Sequence, residues 1–446
     1  MKLVLSTLLT AAIMLTACAT ASTPDTPQFT RAEIEEDYEA LLDFITSTHP
    51  DLSRSADFEV ISTTAQQVRG SLPAVMSLPE AWMAMAVVNP LFGDAHTGLR
   101  RPVAAIESYQ ADGGRLFPAP VTIGQGGILR IAYNAEAEMG AAPGAQILEI
   151  NNIDSQSIVA RLAPRMRGET PELQRLIMER YFAEYYWLAY GGFEKYRVRI
   201  VNKDGTHQTV TLKAGVSEVS EDPGFRYERL DHGAALLTVP TFDLKYGAQF
   251  AAFLERAFED VRQSGANTLI IDLRENGGGA RDLSDLLIGY LSIEPVATTA
   301  RITARVTEEN AARLPGASLG TVVTVPLRQM TRLTSEPPKP FEGRVYVLIG
   351  KLTYSQAVVF AATVQDNGLA VIAGEETEGP ANQTAQVQSN LLPHTGLEAL
   401  APLYVFTRAS GEEGTRGLVP DIEIKDDPAD PARSVEKLLA LVQAAE

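Results

Sequence analysis

Ser355 lies in GRVYVLIGKLTYSQAVVFAATVQDNGLAVIAGEETEG, where a continuously apolar run gives way to a helical one. A serine hydroxyl at such a join could serve as a nucleophile. A strand end followed by a first helical turn offers free backbone N–H groups and the positive end of the helix dipole. Those are the groups an oxyanion needs. A plain helix N-cap is the competing reading, since serine is a favoured cap. His96, in Gly93-Asp-Ala-His-Thr97, is one of five histidines. Imidazole titrates near neutrality and suits a general base, although a polar loop histidine without a role would look the same. A third segment, Ile270-Ile-Asp272-Leu-Arg274-Glu-Asn276-Gly277-Gly278-Gly279, runs from a buried strand into three glycines that would bring bare backbone N–H groups to a ligand. It contains no Gly-Lys-Ser/Thr, which excludes a P-loop. The fourth, Gly417-Leu-Val-Pro420-Asp421, is a turn near the end of the chain.

The elements that must hold these residues can be read around them. In 226–446, strands at 234–239, 267–273, 344–350 and 369–374 alternate with helices at 247–264, 281–292 and 354–367, an α/β layered arrangement. Residues 115–215 read instead as short strands and turns, with a hairpin around Lys203-Asp-Gly205. Pro143-Gly-Ala-Gln-Ile-Leu-Glu-Ile-Asn-Asn-Ile153 resembles the corresponding turn and strand of PDZ domains, with Ala145 at the acidic position and Asn152 at the usual glycine. A PDZ groove captures an extended peptide by strand addition. Thr30-Arg-Ala-Glu33 is a capping box that opens a helix over 31–48, and further helical material runs to about Pro90.

The 446 residues are too many for one ordinary domain, and a net charge of −18 argues against nucleic acid and anionic lipid surfaces as partners. Met1-Lys2 and the apolar stretch Leu3–Leu15 form a leader too short to span a membrane permanently. Leu15-Thr-Ala-Cys18 closely resembles the lipobox of bacterial lipoproteins, which makes Cys18, the single cysteine, the expected site of lipidation. Ala19 after it implies, by the same resemblance, an outer-membrane anchor facing the periplasm. No Cys/His cluster suggests a metal, and no cofactor is expected.

Taken in order, the Gly93–Thr97, Asp272–Gly279, Thr353–Gly368 and Gly417–Asp421 segments resemble the motifs of the C-terminal-processing and tricorn-core (tail-specific) family of serine peptidases. The resemblance implies a serine endopeptidase with Ser355 as nucleophile. One branch of that family uses a lysine after the serine; Pro380 stands at its place here, which leaves His96 as base, with Lys351 a weak candidate. The oxyanion hole is expected from the N–H of Gln356 and of Gly277 or Gly278. Asp272 and Arg274 are expected to hold the glycine loop. Glu413 is the expected acid behind the histidine, with Asp94 a second candidate, since Ala95 replaces the serine of the tricorn relay. The remaining histidines are expected to be structural. The architecture that follows is multidomain α/β: signal peptide 1–17, tether 18–29, N-terminal helical domain 30–114, PDZ-like β-rich domain 115–215, and a catalytic domain of the ClpP/crotonase-like type over 226–446. The substrate expected is a peptide or protein, held in part by the PDZ-like groove. The alternative is a non-catalytic peptide- or ligand-binding lipoprotein on the same fold.

Overall fold

In the computed structural model, which describes residues 27–133, 135, 142–215, 222–333 and 339–444, the run VYVLI lies in an inner strand, Arg344–Ile349, with a parallel neighbour on each side. Its six-stranded sheet is ordered Arg226–Arg229, Ala234–Thr238, Thr268–Asp272, Arg344–Ile349, Val371–Gly374, Ile422–Glu423. The first pair is antiparallel and the others are parallel. Side chains alternate across a strand. Accordingly Leu237, Ile271 and Val347 enter one core with the helices Gly247–Ser264, Arg281–Gly289 and Gln356–Asp366. Leu236, Ile270 and Leu348 point the other way and meet Val435, Leu438 and Val442 of the helix Ala432–Ala444. Cover on both faces explains why the strand sequence shows no polar alternation.

A second, antiparallel sheet is absent from the sequence expectation. It is ordered Val322–Met330, Ala297–Arg305, Glu398–Arg408, Thr384–Leu391. The two outer strands are largely exposed, so neither carries a strong apolar pattern. The inner strand Glu398–Arg408 is mostly buried and recruits the short strand Gly98–Leu99 through the pairs Ala399–Leu99 and Leu400–Gly98. The Arg100 amide extends this pairing by donating to the Glu398 carbonyl at 2.8 Å. This graft carries the Gly93–Thr97 loop, which immediately precedes it, onto the C-terminal half of the chain.

The N-terminal helices are Arg31–Thr48, Phe58–Ser71, Leu78–Met85 and Val103–Ala111. The first is opened by its capping box, with the Thr30 amide donating to Glu33 Oε2 at 2.7 Å and the Glu33 amide to Thr30 Oγ1 at 3.4 Å. The sheet Val121–Gly124, Ile128–Ile131, Gln146–Ile150, Lys195–Val201, His207–Lys213 follows, antiparallel throughout. Ile34, Tyr38 and Trp82 of the helices share one buried cluster with Leu129, Ile147 and Tyr196 of this sheet. Cys18 and the leader lie outside the described residues, among which no helix is long and apolar enough to cross a membrane.

Candidate active site

The helix after the central strand begins at Gln356, two residues later than expected, because Ser355 adopts φ 50° and ψ −124°. L-residues rarely occupy that region, and holding one there costs on the order of 1–3 kcal/mol. Ser355 stands at the N-cap position, yet its side chain makes no capping hydrogen bond. Its Oγ lies 3.1 Å from His96 Nε2 instead. The turn before it is clamped to the neighbouring strand end. Thr353 Oγ1 donates to the Leu273 carbonyl at 2.7 Å and accepts from the Gly350 amide at 2.9 Å. The Tyr354 amide donates to the Asn276 carbonyl at 3.0 Å.

The glycine loop sits directly against this turn. Arg274 donates to Asp272 through Nε at 3.0 Å and Nη2 at 2.7 Å, and through Nη1 to Asp426 Oδ1 at 2.5 Å. Asn276 Nδ2 donates to the Val239 carbonyl at 2.9 Å. A Cβ on Gly278, whose φ is 97°, would stand 2.7 Å from Ser355 Cβ and 2.8 Å from the Gln356 nitrogen. Glycine is therefore required there for the loop to approach the serine at all. The Gly278 amide is already spent on Asn276 Oδ1 at 2.8 Å, which corrects its place among the oxyanion donors. The amides of Gly277 and Gln356 have no acceptor among the described residues.

His96 is half-buried beside Tyr354, with ring centroids 4.9 Å apart. Its Nδ1 lies 2.8 Å from Thr384 Oγ1 and 3.4 Å from the Tyr354 hydroxyl. Burial holds its pKa below the usual imidazole value; Asp94 pulls it back up and Arg167 adds to the depression. Asp94 is 3% exposed. It accepts from the His96 amide at 2.8 Å, from Thr97 Oγ1 at 2.7 Å and from Thr384 Oγ1 at 3.0 Å, while His49 Nε2 approaches at 3.4 Å. Burial alone would raise its pKa, but the His49 hydrogen bond, the histidine charges and the Thr97 bond keep it well below the usual carboxylate range. Tyr354 donates to Glu169 Oε1 at 2.7 Å. Burial and the Asp94 charge push Glu169 up to about 8, only partly offset by that hydrogen bond.

Glu413 does not reach the histidine. Its side chain is 72% exposed and pairs with Arg301 at 2.9 Å, whereas Asp94, the second candidate, lies 3.8 Å from His96 Nδ1. Lys351 pairs with Glu172 at 2.8 Å, and that hydrogen bond raises its pKa, so it is charged at neutral pH and cannot act as a base. Pro380 forms an antiparallel bridge with Gly417, which docks the Gly417–Asp421 turn beside the site. His49, expected to be merely structural, backs Asp94, whereas His394 pairs with Glu36 elsewhere. Thr384 carried no signal in the sequence. A cavity of about 760 Å³ opens next to this back wall; Asp94, Glu169 and Thr384 line it, and Ser355 and His96 do not.

A serine oxygen poised on a half-buried imidazole, with two free amides at its flank, can attack an electrophilic carbonyl and stabilise the resulting oxyanion. The comparisons agree with that chemistry. Residues 233–424 match the family model described as peptidase family S41. Among solved structures, mature CPAF complexed with lactacystin is similar at 15% identity and a TM-score of 0.66, covering 93% of this chain and 99% of that one. Mature CPAF in a second crystal structure gives 15% identity and a TM-score of 0.63, over 92% and 96% of the two chains. At such identities the likeness is one of fold. No curated protein matches the chain.

Proposed function

We propose that this serine peptidase, whose residues 233–424 match peptidase family S41, belongs to the bacterial cell envelope and cleaves peptides or proteins through an acyl-enzyme on Ser355, with His96 as general base. The observation that carries this reading is the 3.1 Å approach of His96 Nε2 to Ser355 Oγ. As Oγ bonds to the scissile carbonyl carbon, its proton moves to Nε2 and the carbonyl oxygen becomes an oxyanion facing the amides of Gly277 and Gln356. Collapse of that intermediate expels the amine, which takes the proton from Nε2. Water, deprotonated by the same nitrogen, then hydrolyses the ester and frees Ser355. The antiparallel sheet of 121–213 with its helix Ser155–Leu162 supports a PDZ-like role in docking an extended substrate.

Incubating the protein with an unfolded protein substrate and mapping the products by mass spectrometry tests the activity. New internal N-termini are expected. Turnover of activated esters with no peptide bond cut would overturn the peptidase reading in favour of an esterase.

The envelope location rests on Leu15-Thr-Ala-Cys18. Cells fed labelled palmitate should incorporate it into the wild-type chain and not into Cys18→Ala, which should appear in the soluble periplasmic fraction. An unlabelled wild-type chain would remove the anchor from this account.

A further inference from the structure

We propose that Thr384 is a positioning residue that fixes the His96 tautomer by relaying the charge of Asp94, an inference that rests on the Ser355–His96 reading above. The number of protons available around Nδ1 sets the tautomer. A carboxylate only accepts hydrogen bonds, and Asp94 is held ionised among its donors. Thr384 Oγ1, 3.0 Å from Asp94 Oδ1, has one proton to give and must give it there. The same oxygen is 2.8 Å from His96 Nδ1, so at that contact it can only accept. The proton of the neutral imidazole therefore sits on Nδ1. The Tyr354 hydroxyl, 2.7 Å from Glu169 Oε1, makes the longer contact at Nδ1, 3.4 Å, and leaves the choice to Thr384. What remains is a bare Nε2 lone pair aimed at Ser355 Oγ, the form a general base needs.

Asp94 itself cannot do this directly, since its nearest oxygen is 3.8 Å from Nδ1, beyond hydrogen-bond range. The hydroxyl closes that gap. It also passes negative charge toward the ring when Nε2 takes the serine proton, stabilising the imidazolium that forms. The charged and titratable groups around His96 are Asp94 on its own loop, Arg167 and Glu169 on the segment behind it, Tyr354 on the nucleophile turn, and His49 beyond Asp94. Of the hydrogen-bond contacts to the ring, 2.8 Å to Thr384, 3.1 Å to Ser355 and 3.4 Å to Tyr354, the one made by Thr384 is the shortest. Thr384 opens an outer strand of the second sheet, and its partner His96 is 288 residues away.

Thr384→Val keeps the shape and removes the hydroxyl. In the full-length chain it should lower kcat by about 10²-fold with little change in KM, and Thr384→Ser should recover most of the loss. The acid limb of the kcat/KM profile should move to lower pH in Thr384→Val and in Asp94→Asn, because each removes stabilisation of the imidazolium. A purely structural role would leave that limb in place and would not be rescued by serine. In the wild-type protein, ¹⁵N-histidine NMR at neutral pH should show one resting imidazole protonated at Nδ1 that disappears in His96→Gln; a resonance of the Nε2-protonated form at that position would overturn the inference whether or not the valine variant folds. If Ser355→Ala and His96→Gln are inactive while Thr384→Val matches the wild type, the relay is wrong and the nucleophile–base pair stands. If wild type and Ser355→Ala are equally active, the catalytic reading itself fails.

Discussion

Ser355→Ala is expected to lower kcat/KM for peptide hydrolysis by about 10⁴- to 10⁶-fold while leaving the fold intact. The size of the effect follows from the number of devices that converge on one oxygen. The turn is clamped by Thr353 to Leu273 and by Tyr354 to Asn276, and the strained φ at Ser355 aims Oγ at His96 and not at the amides of its own helix. Backbone strain of this kind persists only where the surroundings enforce it. Alanine preserves the backbone and removes the only atom that bonds to substrate. The residual rate should be that of the oxyanion donors and binding alone. Circular dichroism and thermal melting check that the variant is folded, and steady-state assays read the loss.

His96→Gln is expected to cost about 10⁴-fold or more in kcat/KM, close to the serine deletion, because the two act as a unit. Glutamine can occupy much of the same space but cannot take a proton. The pH dependence gives a second reading of the same residue. Burial disfavours the imidazolium, and the Arg167 charge adds to this, so the base form persists to lower pH than for a free histidine despite the pull of Asp94. The sign is then fixed: kcat/KM of the wild type should rise with pH along a limb whose midpoint lies below about 6.5, and stay flat above it. The residual activity of His96→Gln should lack that limb. A wild-type midpoint near 9 or 10 would instead point to a lysine base, in conflict with the ion pair that holds Lys351 on Glu172.

How much of this was legible in the sequence depends on where the determining physics lies. The strand Arg344–Ile349, the glycine loop and the helix that follows Ser355 are specified locally, by continuous apolar residues and by glycines at a forced close approach, so they can be read directly. The second sheet is different. Thr384–Leu391 is polar and exposed, and it is a strand only because Glu398–Arg408 lies beside it. Thr384 is therefore invisible as a site residue until the chain is folded. Glu413 illustrates the opposite error. It lies close in sequence to the Gly417–Asp421 turn, yet its side chain turns outward to Arg301. Asp94, two residues from His96, supplies the buried acid through a loop whose hydrogen bonds are satisfied by His49, Thr97 and Thr384 together. Both carboxylates lie near a motif in the sequence, and only folding separates them: Asp94 is buried against the His96 loop and Glu413 faces outward to Arg301.

The most direct test of the Ser355–His96 unit is covalent labelling with a fluorophosphonate, read by intact mass and by mapping the modified peptide. The account predicts one adduct per chain, on Ser355, forming with a pH dependence that follows the His96 limb and absent from both Ser355→Ala and His96→Gln. An adduct that persists in Ser355→Ala, or labelling of His96→Gln at the wild-type rate, would contradict it.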